Sequence, residues 1–296
     1  MKLEQWHIWA LVVVVITIII GLVFFNKNKE GLEDTKSVIP LHIYQTWHTK
    51  KLPPKMKECV DKLKKDNPEF EHHLYDDKMC KEFIKNNFDK EVLESFNKLK
   101  PGAYKADLWR YCILYINGGI YLDIKYKCNS NFKLVELTDK EYYVVDRCFY
   151  KLDINIKEEL DIINIKPYYE NVKCKIPNNF DKKINLYNGL IVCKPNNNLM
   201  KKCIEKCVQN IKNNYYGKSS LDITGPGLMG ELYFNGDYSK IDSEIDLFYS
   251  ANGKNILNRK QVILKHYPEY RKEQFSIGKT EHYGVLWNNK DIYNTK

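Results

Sequence analysis

At 296 residues the chain has the length of one large domain, or of one domain with a subdomain, and can bury a substantial core. Its net charge of +9 comes from lysines scattered through a Lys-, Asn-, Ile- and Tyr-rich sequence, with no dense basic run or RNA-binding signature, which argues against a nucleic-acid partner. The nine cysteines are an odd set without a C-x-x-C pair, so zinc is not expected, and Cys112 and Cys193 read as small buried hydrophobes.

Residues 1–7 form a short tail. Ile8 to Phe25 is an uninterrupted run of 18 apolar or neutral residues. As a helix it would be about 27 Å long, enough to cross a thin bilayer. No small-residue cleavage site follows Phe25, so the run reads as a retained signal anchor. Residues 26–38 are a polar stem without periodicity, and residues 39–296 are read as the folded domain.

Ile39 to Thr46 reads as a first strand. Pro53-Pro54 opens a helix through Lys65, stopped by Asn67-Pro68, and Phe70 to Tyr75 is a second strand. Asp76-Asp77 caps a helix through Asn87, and Asp89 to Leu99 is amphipathic. Helices alternating with strands in this way argue for a parallel-rich sheet. His42, His72 and His73 lie in the two strands with no ligand spacing and receive no role.

Pro101 to Lys127, PGAYKADLWRYCILYINGGIYLDIKYK, organises the chain. Leu108, Tyr111, Cys112 and Tyr115 recur on one helical face and Trp109, Ile113, Leu114 and Ile116 fill most of the rest, so this helix should be buried nearly all round. Asp107 and Arg110 lie three apart on it, where buried charges must pair or face a polar cleft. Asn117-Gly118-Gly119 ends the helix, and Ile120 to Asp123 reads as a short buried strand. Alternation puts Tyr121, Asp123 and Lys125 on one side and Ile120, Leu122 and Ile124 on the other. Asp123 thus leaves the carboxyl end of a core strand, where open α/β sheets bind ligands.

Further on, Tyr142 to Asp146 and Asp161 to Ile165 are expected strands. Ile184 to Lys194 is a strand whose Asn188-Gly189 marks a bulge or a close backbone approach. Leu199 to Ile211 is a helix, and Thr224-Gly225-Pro226-Gly227 feeds another from Leu228 to Phe234. The aromatic tail shows no clear periodicity.

The string KPGAYKADLWRYCILYINGGIYLDIKY resembles the signature of the DXD-type, nucleotide-sugar-dependent glycosyltransferases typified by the yeast Golgi initiating α-1,6-mannosyltransferase (glycosyltransferase family 32). The resemblance covers residues 37 to 137 well and extends more weakly over NGLIVCKP and TGPGLM. It implies a GT-A fold, a Rossmann-like α/β/α sandwich, behind the N-terminal transmembrane helix. It also implies transfer of a sugar from a UDP- or GDP-sugar to a glycan, lipid or protein acceptor with retention of configuration, on a Golgi/ER-type or virus-associated membrane. The base composition implied by so many Lys, Asn, Ile and Tyr codons fits an AT-rich genome such as that of a large virus.

The resemblance implies catalytic or donor-contacting roles for Asp107, Arg110 and Asp123. Trp47 matches an aromatic beside the nucleotide base. Tyr121, Asn188, Thr224, Gly225 and Trp287 complete the expected donor contacts. Lys125 stands where the family usually has its second acid, which sets it against the divalent cation, Mn²⁺ or Mg²⁺, that the family implies. Three outcomes compete: the Lys125 ammonium itself faces the diphosphate, a metal is held by Asp123 with His282, or the domain is a catalytically inactive nucleotide-sugar-binding scaffold.

Overall fold

A computed structural model describes residues 37–129, 132–146, 185–235, 247–249, 253–258, 261–277 and 281–294. The apolar run Ile8 to Phe25 and the strand expected over Asp161 to Ile165 lie outside the described residues. Among the described residues no helix is long and apolar enough to cross a membrane.

Strand β1 (His42–Thr46) begins three residues later than its sequence predicts. Pro40 has no N–H for a ladder, and the Val38 and Ile39 N–H groups instead reach Thr138 O at 2.8 and 3.2 Å. Helix α1 (Pro54–Asp66) carries a proline in its first turn and buries Met56, Cys59, Val60 and Leu63 at helical spacing. After β2 (Glu71–Tyr75), the Asp76 carboxylate accepts from Met79 N at 2.9 Å to cap α2 (Asp77–Asn87), and Asp89 accepts from Val92 N at 3.1 Å to cap α3 (Lys90–Lys98). Asp76→Ala and Asp89→Ala should each cost about 1 kcal/mol, read as a melting temperature lower by about 2–4 °C in thermal unfolding.

Helix α4 (Gly102–Asn117) is buried nearly all round, as its composition requires, with Leu108, Trp109, Tyr111, Cys112, Ile113 and Leu114 fully inaccessible. Each such side chain contributes about 1.5–3 kcal/mol by leaving water. Gly118 ends the helix at φ +62°, and a Cβ there would lie 2.6 Å from the backbone N of Pro195. Only glycine fits both the conformation and the approach.

The chain continues as β3 (Gly119–Leu122), β4 (Tyr126–Cys128), a 3-10 turn (Leu134–Leu137), β5 (Tyr142–Val145) and β6 (Leu186–Cys193). Then follow α5 (Asn198–Lys212), α6 (Pro226–Phe234), β7 (Leu247–Tyr249), β8 (Asn255–Asn258), β9 (Val262–His266), α7 (Tyr270–Ile277) and α8 (Tyr283–Asn288). The structured tail after β6 was legible only as two helices. Its strands are three to five residues long and too short to show a period.

The described strands form one sheet in the order β2-β1-β3-β6-β5-β7-β8-β9-β4. It is mixed rather than parallel-rich: β1–β2, β1–β3 and β5–β7 are parallel, and the other five ladders are antiparallel. Helices lie in the chain between the parallel neighbours β1 and β2, β1 and β3, and β5 and β7. The connections β7–β8 and β8–β9 are too short to hold a crossover helix, so those strands must run antiparallel.

The position of β4 forces the sheet to curl. β3 is third and β4 ninth in the order, so on a flat sheet six spacings of ~4.8 Å would separate them by about 29 Å. The chain between Leu122 and Tyr126 is four Cα steps, at most about 15 Å. The far edge therefore bends back toward β3, and Asp123-Ile124-Lys125 is the corner. One face of the sheet carries the core of α2 to α6 with Tyr44, Tyr121 and Ile191; the other packs Leu63 of α1 and the 3-10 turn against Ile43, Ile120, Leu122 and Leu190.

Candidate functional site

The corner after β3 is held by its backbone. Asp123 N donates to Gly189 O at 2.8 Å, Tyr126 N donates to Asp123 O at 3.1 Å to close a turn, and Tyr267 N reaches Lys125 O at 3.0 Å. Gly189 is a close approach within β6: a Cβ there would meet the Tyr187 hydroxyl at 2.3 Å and Asp123 Oδ2 at 2.7 Å. The register shift of β5 against β6 leaves the extra residues on β6, between Tyr187 and Val192, the segment that holds Asn188-Gly189.

Four charged side chains converge on this corner. Lys125 Nζ lies 2.8 Å from Asp123 Oδ2, and Arg110 bridges Asp107 Oδ1 at 3.2 Å and Asp123 Oδ1 at 3.6 Å. All four are largely buried, with side-chain exposure between 7% for Arg110 and 21% for Asp123. Arg110 also donates to Asn188 O at 2.5 Å and lies over the Tyr121 ring, 4.2 Å from its centroid. The Asp107–Arg110 pair expected from their i,i+3 spacing exists, and it is one half of a larger network.

The remaining lone pairs are taken by neutral donors. Asp107 accepts from Asn188 Nδ2 and from Thr224 Oγ1, each at 2.9 Å. Asp123 accepts from the hydroxyls of Tyr121 at 2.9 Å and Tyr187 at 3.2 Å. Thr224 comes from the loop before α6, and a Cβ at Gly225 would lie 3.3 Å from Asp107 Oδ2, so the TGPG loop rests on the acid of α4. Burial acts to raise the pKa of Asp123, but Lys125 and Arg110 outweigh it and hold the carboxyl below the usual range. At Asp107 burial prevails over Arg110 and the two neutral donors, and its pKa is raised.

Aromatic rings enclose the Lys125 ammonium. It lies 5.6, 5.5 and 5.8 Å from the ring centroids of Tyr126, Tyr187 and Tyr270. Tyr187 stacks on Tyr249 at 4.1 Å, and its hydroxyl accepts from that of Tyr126 at 3.0 Å. His266, edge-on to Tyr126, is held neutral, its pKa pulled down to about 3 by burial and by Lys125. None of Tyr187, Tyr249, His266 and Tyr270 was singled out by sequence; the apolar run around Asn188-Gly189 was the only signal, and it pointed at the neighbours of Tyr187.

The other predicted residues lie around this cluster. Trp47, just past β1, packs with Met56, Val60, Tyr267 and Ile124, flanking the corner from the side opposite Tyr121. Trp287 donates its indole N–H to Tyr216 O at 2.6 Å, and His282 caps α8 by accepting from Gly284 N at 3.1 Å. Their helix adjoins the site through Tyr283, whose ring lies 5.8 Å from that of Tyr104 on α4. Neither makes a described contact with Asp123.

The donor set at Asp123 does not fit a directly bound Mg²⁺ or Mn²⁺. Both carboxylate oxygens already face a cation and accept a phenolic hydrogen bond, and Lys125 supplies an ammonium where a hard cation needs an oxygen. Two acids and two bases leave the cluster formally neutral, with a guanidinium and an ammonium available to a polyanionic ligand.

The family model described as "Glycosyltransferase sugar-binding region containing DXD motif" matches residues 53–144, the stretch from α1 to β5 that holds Asp107, Arg110, Asp123 and Lys125. An uncharacterized glycosyltransferase of Acanthamoeba polyphaga mimivirus is 38% identical over 96 residues, covering 32% of this chain and 38% of that protein. Inositol phosphoceramide mannosyltransferase 3 of Schizosaccharomyces pombe is 35% identical over 106 residues, covering 34% of this chain and 28% of that protein. The chain thus matches well under half the length of these relatives. The solved PaToxG glycosyltransferase superposes with a TM-score of 0.45 at 18% identity, covering 70% of this chain and 73% of that one. Residues 53–144 are thus similar in sequence to the DXD-containing glycosyltransferase sugar-binding region.

Proposed function

We infer that the chain is a glycosyltransferase of GT-A type that moves a sugar from a UDP- or GDP-sugar to a glycan, lipid or protein acceptor with retention, anchored through Ile8 to Phe25 at a Golgi/ER-type or virus-associated membrane. The observation that carries this reading is the buried Asp107–Arg110–Asp123–Lys125 network at the end of β3, inside the matched stretch. The name of the fission-yeast relative supports a mannosyl donor and a lipid acceptor. The mimivirus relative supports a viral setting.

Transfer breaks the bond between the anomeric carbon and the diphosphate oxygen, whose electron pair stays on the leaving group, and forms a new bond to an acceptor hydroxyl, whose proton passes to the departing diphosphate. The main demand is stabilisation of the departing diphosphate. In this reading the Lys125 ammonium, enclosed by three tyrosine rings, meets that charge in place of a divalent cation, while Arg110 and Asp107 hold the donor sugar and phosphate. Trp47, Tyr121, Asn188, Thr224, Gly225 and Trp287 would line the donor.

A panel of nucleotide sugars tests the reading directly. One donor should raise the melting temperature of the full chain in detergent and be hydrolysed slowly without acceptor. Hydrolysis should be unaffected by chelator, Lys125→Ala should lower kcat about 10²-fold, and Lys125→Asp should make the remaining turnover depend on Mn²⁺. Turnover abolished by chelator in the unaltered chain would refute the role of Lys125. No protection and no turnover with any donor would refute the transferase reading.

A further inference from the structure

His42, Glu71 and His73, which show no ligand spacing in sequence, are brought together by the parallel register of β1 and β2, in which His42 faces Glu71 and Tyr44 faces His73. Because side chains alternate along a strand, Glu71 and His73 share one face of the edge strand with His42 beside them. His73 Nε2 lies 3.2 Å from His42 Nδ1, and the two Glu71 oxygens lie 3.6 Å from one of these nitrogens each. A tetrahedral metal with bonds of about 2.0–2.1 Å has ligands about 3.3–3.4 Å apart. The two imidazole nitrogens stand close to that spacing, each nitrogen has a different Glu71 oxygen at 3.6 Å, and one donor atom from each of the three residues lies within 4.8 Å of the others.

The arrangement is supported from behind. The His73 ring stacks on Tyr44 at 5.0 Å and 15°, and Tyr44 is itself buried. Gly119 of β3 lets β1 come close, since a Cβ there would sit 2.8 Å from the His42 carbonyl oxygen. In front the site is open: side-chain exposure is 36% at His42, 26% at His73 and 68% at Glu71, leaving a fourth position to water.

We propose that His42, Glu71 and His73 form a binding site for a borderline divalent metal of the zinc class, which ties the edge strand β2 to β1. Two imidazoles and one carboxylate select Zn²⁺-class ions over Mg²⁺ and Ca²⁺, which take oxygen ligands. The site is separate from the charged corner: Gly119, beside His42, and Asp123 are at opposite ends of β3, four residues or about 13 Å apart. The proposal therefore does not rest on the transferase reading. It also differs from a metal held by Asp123.

The full chain, stripped with chelator and kept reduced, is titrated with Zn²⁺, and with Co²⁺ as a spectroscopic probe. One saturable site is expected, with visible Co²⁺ absorption of a low-coordinate nitrogen and oxygen site. Saturation should raise the melting temperature by about 5–10 °C at 100 times the dissociation constant. His42→Ala and His73→Ala should each weaken binding at least tenfold and abolish the rise, with Glu71→Gln between them and the unaltered chain. All three positions are at least partly exposed, and the melting temperatures of the metal-free variants check folding independently. No saturable uptake, uptake unchanged in the histidine variants, or a Co²⁺ spectrum dominated by thiolate charge transfer would overturn the proposal. In that case the trio is an ordinary surface network of hydrogen bonds.

Discussion

Asp123→Asn is expected to lower donor turnover by about 10²–10³-fold, measured as kcat for release of the nucleoside diphosphate. The amide keeps the shape of the carboxylate but removes the charge that positions Lys125 at 2.8 Å and Arg110 at 3.6 Å. Turnover should fall through kcat more than KM, because those cations are needed most when charge builds on the leaving group. A variant retaining more than a tenth of the activity would remove Asp123 from the centre of the reaction. The same substitution changes the acid limb of stability. Asp123 has a depressed pKa in the fold, so its contribution is fully present above the unfolded value of ~3.9 and is lost as pH falls toward its folded pKa. Melting curves below pH 4 should therefore drop more steeply for the unaltered chain than for Asp123→Asn.

Arg110→Met should destabilise the fold by about 3–5 kcal/mol, read by denaturant unfolding. Methionine fills much of the guanidinium's volume and can lie on the Tyr121 ring, so the loss measures charge rather than packing. Removing the guanidinium leaves Asp107, buried to 8% exposure, with only Asn188 and Thr224 as partners, and leaves the Asn188 carbonyl without its 2.5 Å donor. The double variant Arg110→Met with Asp107→Asn should recover much of the loss, because no unpaired charge then remains inside. If the single variant costs under 1 kcal/mol, the pair is better solvated than its burial implies.

Much of the first half of the chain is legible in the residues. Asp76 and Asp89 are helix caps because a carboxylate before a helical run has an orphan N–H to accept from, and that is a local matter. Pro101 to Gly119 reads as a buried helix with a left-handed stop because its apolar residues cover the whole circumference and two glycines follow. Tyr121 and Asp123 fall on the face opposite Ile120 and Leu122 because strand side chains alternate. The mixed sheet, the hairpins of the tail and the bent corner were not legible in the same way. Periodicity reports which face of an element is buried and is silent on which strand it pairs with and in which direction.

The sequence by itself determined the buried helix, its stop and the acid at the end of the next strand, since each depends on neighbours within a few residues. Only the tertiary structure decided that β4 joins the far edge of the sheet. That pairing closes the curl and brings Tyr270 to Lys125 beside Asp123, while the β3–β6 register brings Tyr187. It likewise decided that His42 meets Glu71 and His73, which are some thirty positions away along the chain. Both sites depend on strand register, and register is set by the packing of whole faces against the core, which no short stretch of residues contains.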